Sequence, residues 1–303
     1  MEVRATPMET ARNVTQSTAD LSNVSVIIPV YNERGIIGDV LAELQQFEFH
    51  EIIVVDDGSN DGTAEEAEAF NVRVIRHPYN IGNGAAVKTG IREATGEIIL
   101  LMDGDGQHSP ADIPLLVSQL ANYDMVVGAR SAQSSVALHR RLANRLFSAY
   151  ASYIVDHPVK DLTSGFRAFK ADQLRRFLYL FPNGFSYPTT ITIAMFRSGY
   201  RVRYVSVVSR ARLGQSKIRP VRDGLRFLLT ITRIAVCFVP MKVFLPLSLL
   251  FLSAGIGYGA YLLIFLRRFS NMAALLILMG VLIFLIGLVA EQLALLRLQH
   301  STE

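Results

Sequence analysis

Glu97-Ile-Ile-Leu-Leu-Met-Asp-Gly-Asp-Gly-Gln-His108 runs from an apolar stretch directly into two carboxylates. The apolar half is short and nearly unbroken, as a strand buried on both faces of a parallel sheet should be. The same pattern recurs at Val24-Ser-Val-Ile-Ile-Pro-Val30, Glu51-Ile-Ile-Val-Val-Asp56, Val72-Arg-Val-Ile75 and Met125-Val-Val-Gly128. Between the first two of these in chain order, Ile36, Ile37, Val40, Leu41 and Leu44 recur at helical spacing. Alternating strands and helices predict an α/β fold on an open parallel sheet, which binds its ligands at the carboxyl ends of the strands. Polar clusters follow those ends at Tyr31-Asn-Glu33, Asp56-Asp-Gly-Ser59 and Asp103-Gly-Asp105.

The 303 residues are 50% hydrophobic and only 18% charged, below the roughly 25% of an ordinary soluble domain. That balance points to membrane attachment and away from disorder or nucleic-acid binding. A single cysteine, Cys237, excludes a disulfide framework and a cysteine-based zinc site. Residues 1–23 lack the apolar run of a signal peptide and read as a loose tail. The charge is uneven: residues 1–196 hold 16 basic residues against 23 acidic, whereas 197–242 hold 11 against one, Asp223. Within that belt, residues 218–241 predict an amphipathic helix. Arg219, Arg222, Arg226 and Arg233 share one side and Leu228, Ile231, Ala235 and Phe238 the other. Such a helix suits a membrane interface, although one packed on the α/β domain carries the same pattern. Val243–Leu266 then has 24 residues without a charge, and a second apolar run follows the Arg267–Asn271 link. About 20 apolar residues span a bilayer core, so a transmembrane hairpin is predicted at 242–266 and 271–297. The basic belt predicts that the α/β domain and both termini lie on the cytoplasmic side of a multi-pass membrane protein.

Asp103 and Asp105, two residues apart past a buried strand, can point to one site and hold a hard divalent cation, Mg²⁺ or Mn²⁺. Gln107 and His108 follow closely enough to contribute, and the oxygen of Gln107 suits such a metal better. No EF-hand is formed, because His108 and Pro114 stand where its glycine and glutamate belong. Asp56-Asp57-Gly58-Ser59 either offers acceptors for a base or ribose or is an acidic turn, since Gly and Ser favour chain reversal. Asn80-Ile-Gly-Asn-Gly84 is either a helix-start turn or a set of amides near an anion, and is neither a Walker A loop nor a dinucleotide fingerprint.

Taken together, these clusters resemble a family 2 glycosyltransferase with the glycosyltransferase-A (Rossmann-like) fold, of the dolichol-phosphate mannose synthase type. The resemblance covers residues 24–217 and rests on Ile28-Pro-Val-Tyr-Asn-Glu33, Val55-Asp-Asp-Gly-Ser59, Asp103-Gly-Asp-Gly-Gln-His108, Val127-Gly-Ala-Arg130, Asp161-Leu-Thr-Ser-Gly-Phe-Arg167 and Arg212-Leu-Gly-Gln-Ser-Lys217. The hairpin extends it toward bacterial polyprenyl-phosphate glycosyltransferases. The resemblance implies that Pro29, Tyr31, Glu33 and Asp57 surround the nucleoside of a UDP- or GDP-linked sugar, with Asp57 facing the base. Asp103, Asp105 and Gln107 would hold the metal on its diphosphate. Arg130 and Arg145, with one or more of Arg212, Ser216 and Lys217, would meet the phosphate of a polyprenyl acceptor; Arg141 is the alternative to Arg145. Asp161 would orient sugar or acceptor, and the sugar carbon would invert in one displacement. A homo-oligomer is compatible with all of this. Two other readings are transfer to a lipid hydroxyl, which would want a basic carboxylate near the nucleophile, and a catalytically silent membrane scaffold, which would need none of these groups.

Overall fold

Val24–Val30 (β1) is buried along its whole length, with Val26, Ile28 and Val30 facing one core cluster and Ile27 the other. Side chains alternate across a strand, so a continuous apolar run fills two layers at once. The computed structural model describes residues 19–130, 138–184, 186–210 and 220–300; the side chains of 138–144, 220–223, 225–226 and 297–300 lie outside that description. The remaining strands are Glu51–Asp56 (β2), Arg73–Arg76 (β3), Ile98–Leu101 (β4), Met125–Arg130 (β5), Arg167–Lys170 (β6) and Val202–Val207 (β7). They form one sheet in the order β3-β2-β1-β4-β6-β5-β7.

The sheet is mixed, where a purely parallel one was expected. β6 runs antiparallel to both β4 and β5, while the other neighbours are parallel. β6 reads as Arg-Ala-Phe-Lys, too short and too charged at its ends to register as a buried strand. Leu21 is buried against the first core cluster, and the Val24 amide donates to its carbonyl at 3.0 Å. The packed domain therefore begins before Val24.

The helices are Ile37–Leu44 (α1), Thr63–Glu68 (α2), Asn83–Glu93 (α3), Ile113–Gln119 (α4), Leu138–Val155 (α5), Ala171–Arg175 (α6), Tyr187–Arg197 (α7), Pro220–Phe238 (α8), Met241–Leu266 (α9) and Asn271–His300 (α10). α1 and α4 cover one face of the sheet, and α3 and α7 cover the other. A third cluster seats α8 on the domain: Ile231, Ile234, Ala235 and Val239 bury against Ala151, Ile154, Val155 and Ile193. Burying Ile231 fully contributes about 2–3 kcal/mol. The face expected against lipid is thus partly spent on the protein, while Leu228 and its neighbour Leu229 stay 41% and 56% exposed. Arg233 is exposed, as expected; the side chains of Arg219, Arg222 and Arg226 lie outside the described residues.

α9 and α10 pack side by side. A Cβ added to Gly255 would lie 2.8 Å from the Ile277 nitrogen, and one added to Gly280 would lie 3.0 Å from the Leu252 nitrogen. Glycine at both points lets the two backbones approach, and Ser248 Oγ donates to the Gly280 carbonyl at 2.8 Å. Their outer surfaces stay apolar and exposed, with Leu250, Ile264, Phe265, Leu285 and Ile286 among them. Each span, Met241–Leu266 and Asn271–Leu296, has 26 residues. At about 1.5 Å per residue that is about 39 Å, enough to cross the roughly 30 Å core of a bilayer.

Candidate active site

β1 pairs with β4 only from Val24 to Ile27, but with β2 as far as Val30. Beyond Ile27 the strands part, and Pro29, buried and without an N–H to donate, falls in the parted stretch. The Asp103-Gly-Asp105 loop crosses this opening. A Cβ on Gly104 would lie 2.6 Å from Val30 Cγ1, so only glycine lets the loop lie so low. Gly165 plays the same part from the far side, since a Cβ there would press on both Asp103 carboxylate oxygens. Asp103 remains one-third exposed (33%), whereas Asp105 is buried and its Oδ1 accepts the Gln107 amide at 3.2 Å. His108 is buried in a stack on Phe166 with ring centroids 5.0 Å apart, its Nε2 3.9 Å from Asp103 Oδ2.

Among the described residues no three His, Cys, Asp or Glu side chains converge as a ligand cluster. A cation here would need Gln107 beside the two aspartates. Two carboxylates and an amide oxygen are hard donors of the kind that suit Mg²⁺ or Mn²⁺. The space that Gly165 leaves open at Asp103 is consistent with that fit.

On the β2 side, Tyr31 is 38% exposed at the rim and the Glu33 amide donates to Thr63 Oγ1 at 2.9 Å. The Asn32 amide donates to Ser59 Oγ at 2.9 Å, and Ser59 in turn closes on Asp56. Asp57, expected to face the base, is turned into the protein. Its Oδ1 accepts from the Ile81 amide (3.0 Å) and pairs with His77 Nδ1 (2.8 Å), while Oδ2 accepts from the Gly82 amide (2.8 Å). The other ring nitrogen of His77 lies 2.9 Å from Thr89 Oγ1. A carboxylate this buried needs its partners inside the fold, and the partners are the amides that the sequence offered to an anion. The Asn80–Gly84 loop is therefore a sealed helix-start turn. Cβ atoms on Gly82 or Gly84 would strike the Asn183 or Pro182 carbonyls, which closes it from the other side. His77 has no signature in the sequence, being scattered among other histidines.

At the end of β5, Arg130 and Asp161, read separately from the sequence, form one ion pair. Arg130 Nε donates to Asp161 Oδ2 at 2.8 Å and Nη2 to Oδ1 at 3.0 Å. Nη2 also donates to Thr163 Oγ1, and the Thr163 and Ser164 amides donate to Asp161 Oδ1 at 3.1 Å each. Burial opposes the charge on Asp161, but the Arg130 hydrogen bonds and charge and the backbone amides outweigh it, holding the carboxyl below its ordinary value. Burial likewise opposes the charge on Arg130, and Asp161, with Asp103 and Asp105 behind it, outweighs that too. Among the described residues no hydrogen bond takes the Nη1 end of this fork. Arg145 lies exposed on α5. Arg212, Ser216 and Lys217 fall outside the described residues.

Arg167 is a residue whose part the sequence did not reveal. Fully buried, it donates from Nε to the Ser164 carbonyl (2.7 Å), from Nη2 to the Leu162 carbonyl (3.3 Å) and from Nη1 to Thr192 Oγ1 (2.6 Å). It grips the loop that carries Asp161 and Gly165 from beneath. The only hint in sequence was its place as the last residue of the Asp161–Arg167 motif.

The pattern described as Glycosyl transferase family 2 matches residues 25–178, and one described as the GtrB C-terminal hairpin matches 239–296. The chain belongs to glycosyl transferase family 2 and is an enzyme of that class, with the GT-A fold and an apolar C-terminal hairpin. It is similar to the dolichyl-phosphate hexose transferase of Haloferax volcanii, at 29% identity over 70% of this chain and 92% of that one. It is also similar to the undecaprenyl-phosphate mannosyltransferase of Micrococcus luteus, at 29% identity over 64% of this chain and 87% of that one. Among solved structures, glucosyl-3-phosphoglycerate synthase from Mycobacterium tuberculosis, in complex with Mn²⁺, UDP-glucose and glycerol 3-phosphate, shares the fold. Its TM-score is 0.63 at 20% identity, over 75% of this chain and 87% of that one.

Proposed function

We propose that this glycosyltransferase moves a sugar from a UDP- or GDP-linked donor to a polyprenyl phosphate at the cytoplasmic face of a membrane, inverting the sugar carbon in a single displacement. The observation that carries the reading is the Arg130–Asp161 pair, which lies at the same end of the sheet as Asp103 and, among the described residues, has no hydrogen bond at the Nη1 end of its guanidinium. A lipid monophosphate, with a second pKa of about 6, is already anionic at neutral pH. It needs charge neutralisation and alignment rather than a strong base. Asp161, held below its ordinary value by Arg130, is a poor base, which counts against a lipid hydroxyl as the acceptor. It instead holds Arg130 so that the Nη1 end meets the acceptor phosphate. Arg145 on α5, and the Arg212–Lys217 motif, would add positive charge on the same substrate. Tyr31 and Glu33 at the rim, with Pro29 buried beneath them, would meet the nucleoside. A bound Mg²⁺ or Mn²⁺, held by Asp103, Asp105 and Gln107, would neutralise the donor diphosphate. The relatives that act on dolichyl and undecaprenyl phosphates by name, and the hairpin pattern, support a membrane-borne acceptor.

The test is to incubate purified enzyme with a panel of nucleotide sugars, either cation, and a prenyl phosphate or the matching prenyl alcohol, then to analyse the lipid by mass spectrometry. Glycosylated prenyl phosphate is expected; transfer to the alcohol alone would sink the proposal. For topology, a cysteine at Ser270 in a Cys237→Ser background should react with an impermeant thiol reagent in intact cells. Labelling of a cysteine at position 10 instead would reverse the orientation.

A further inference from the structure

Lys242 stands at the step from α8 into the first span and reaches back to the end of α5. Its Nζ donates to the Tyr153 carbonyl at 2.8 Å, to the Ile154 carbonyl at 3.3 Å and to Asp156 Oδ1. These are among the last carbonyls of α5, which have no partner within their own helix and sit at its negative end. The contact is reciprocal: Tyr153 Oη donates to the Lys242 carbonyl at 3.1 Å, and the ammonium lies 5.3 Å from the Tyr153 ring centroid. Arg197 of α7 takes the other Asp156 oxygen at 3.1 Å. One residue earlier, the Met241 amide donates to Glu291 Oε2 at 3.3 Å, which ties α10 into the same corner. The start of the hairpin is thus knitted to Asp156, five residues before Asp161 and its hold on Arg130.

We propose that Lys242 is a positioning residue for a membrane-embedded acceptor, fixing the height of the Asp161–Arg130 pair above the bilayer. The inference rests on the polyprenyl phosphate reading. A long prenyl tail holds its phosphate at the headgroup level, so the protein groups that meet that phosphate must be held at the same level. Packing of α8 seats the hairpin against the domain, but hydrophobic contact is non-directional. The Lys242 hydrogen bonds to fixed carbonyls supply the direction, and they do so on the segment that leads into Asp161. A freely diffusing acceptor has no fixed height and should be indifferent to this clasp.

The full-length enzyme is tested with a long-chain polyprenyl phosphate in liposomes and with a short, water-soluble prenyl phosphate in detergent. Lys242→Gln, which keeps an N–H donor on a chain one atom shorter and loses the charge, should raise KM for the embedded acceptor about 10-fold. kcat, donor affinity by calorimetry and KM for the short acceptor should each change less than about 2-fold by the same argument. Lys242→Arg should recover most of the loss. Tyr153→Phe, which removes only the returning hydroxyl bond, should move the embedded KM the same way by less, and it serves if Lys242→Gln folds poorly. An unchanged embedded KM in both variants overturns the proposal, as does an equal loss on both acceptors, which would make Lys242 merely structural. Failure of the wild type to glycosylate either phosphate overturns the acceptor reading itself, and the inference with it.

Discussion

Asp57 and Asp161 are both buried carboxylates in loops at the carboxyl edge of the same sheet, yet they end differently. Asp57 accepts two backbone amides and a histidine, and everything it holds faces inward. Asp161 accepts three backbone amides and the Arg130 side chain, and that side chain reaches past it toward the surface, 29% exposed. Burial and charge are alike in the two, so neither property marks a site. What differs between them is that the His77 ring spends both nitrogens inside the fold, whereas Arg130 has no hydrogen bond at Nη1 among the described residues. The Asp57 corner is closed within the fold; in the proposed function the Asp161 corner would present a charge to the substrate.

The sharpest way to break that contrast is Asp161→Asn. It removes the anion that aligns Arg130 and leaves a largely buried guanidinium uncompensated, so transfer efficiency to the lipid phosphate should fall about 100-fold or more. Donor affinity, measured by calorimetry without lipid, should change little. An equal loss of donor affinity would erase the distinction between the corners. Next is Gly165→Ala, whose Cβ would press on the Asp103 oxygens. It should raise the cation concentration needed for half-maximal turnover about 10-fold, read from a metal titration, while Gly184→Ala, where a Cβ meets open space, should leave it unchanged. Asp57→Asn puts an amide where three donors converge and should cost about 2 kcal/mol in urea unfolding. Its effect on acceptor KM should be small. The mildest test is pH. The folded-state pKa of Asp161 is depressed, so its stabilising contribution is present above the ordinary carboxylate range and lost as pH falls through the lowered folded value. The stability gap between wild type and Asp161→Asn should hold steady from about pH 7 to about pH 5 and close below about pH 4. A gap that widened on acidification would mean that Arg130 does not hold Asp161 ionised.

Much of this was readable in one dimension where a local pattern was sufficient. The runs that became β1, β2 and β4 are apolar because both their faces are covered, and the hairpin is long enough to be recognised by length alone. β6 escaped because its first residue is Arg167, and a lone arginine reads as surface; only the fold reveals that backbone carbonyls satisfy it. The pairing of Arg130 with Asp161 spans 31 positions and that of Asp57 with Gly82 spans 25. No spacing rule links residues brought together by sheet closure. That Asp103 and Asp105 follow a buried strand in one loop was legible because both lie within a single turn of the chain. For Asp57 the expectation came from its neighbours in sequence, whereas its hydrogen-bond partners His77, Ile81 and Gly82 lie 20 to 25 positions along the chain.

The length of the hairpin has a consequence of its own. Two spans of 26 residues exceed a typical hydrocarbon core by about 9 Å, so in a bilayer they lean by about 40°, protrude, or thicken the lipid around them. A hairpin joined to its domain by a slack linker would absorb that adjustment without effect. Here the near end is stitched to α5 through Lys242, with Glu291 of α10 joined to the same corner, so a change of lean would pull on the helix that leads into Asp161. Acyl-chain length in a surrounding bilayer would thereby bear on how the domain is held at the membrane.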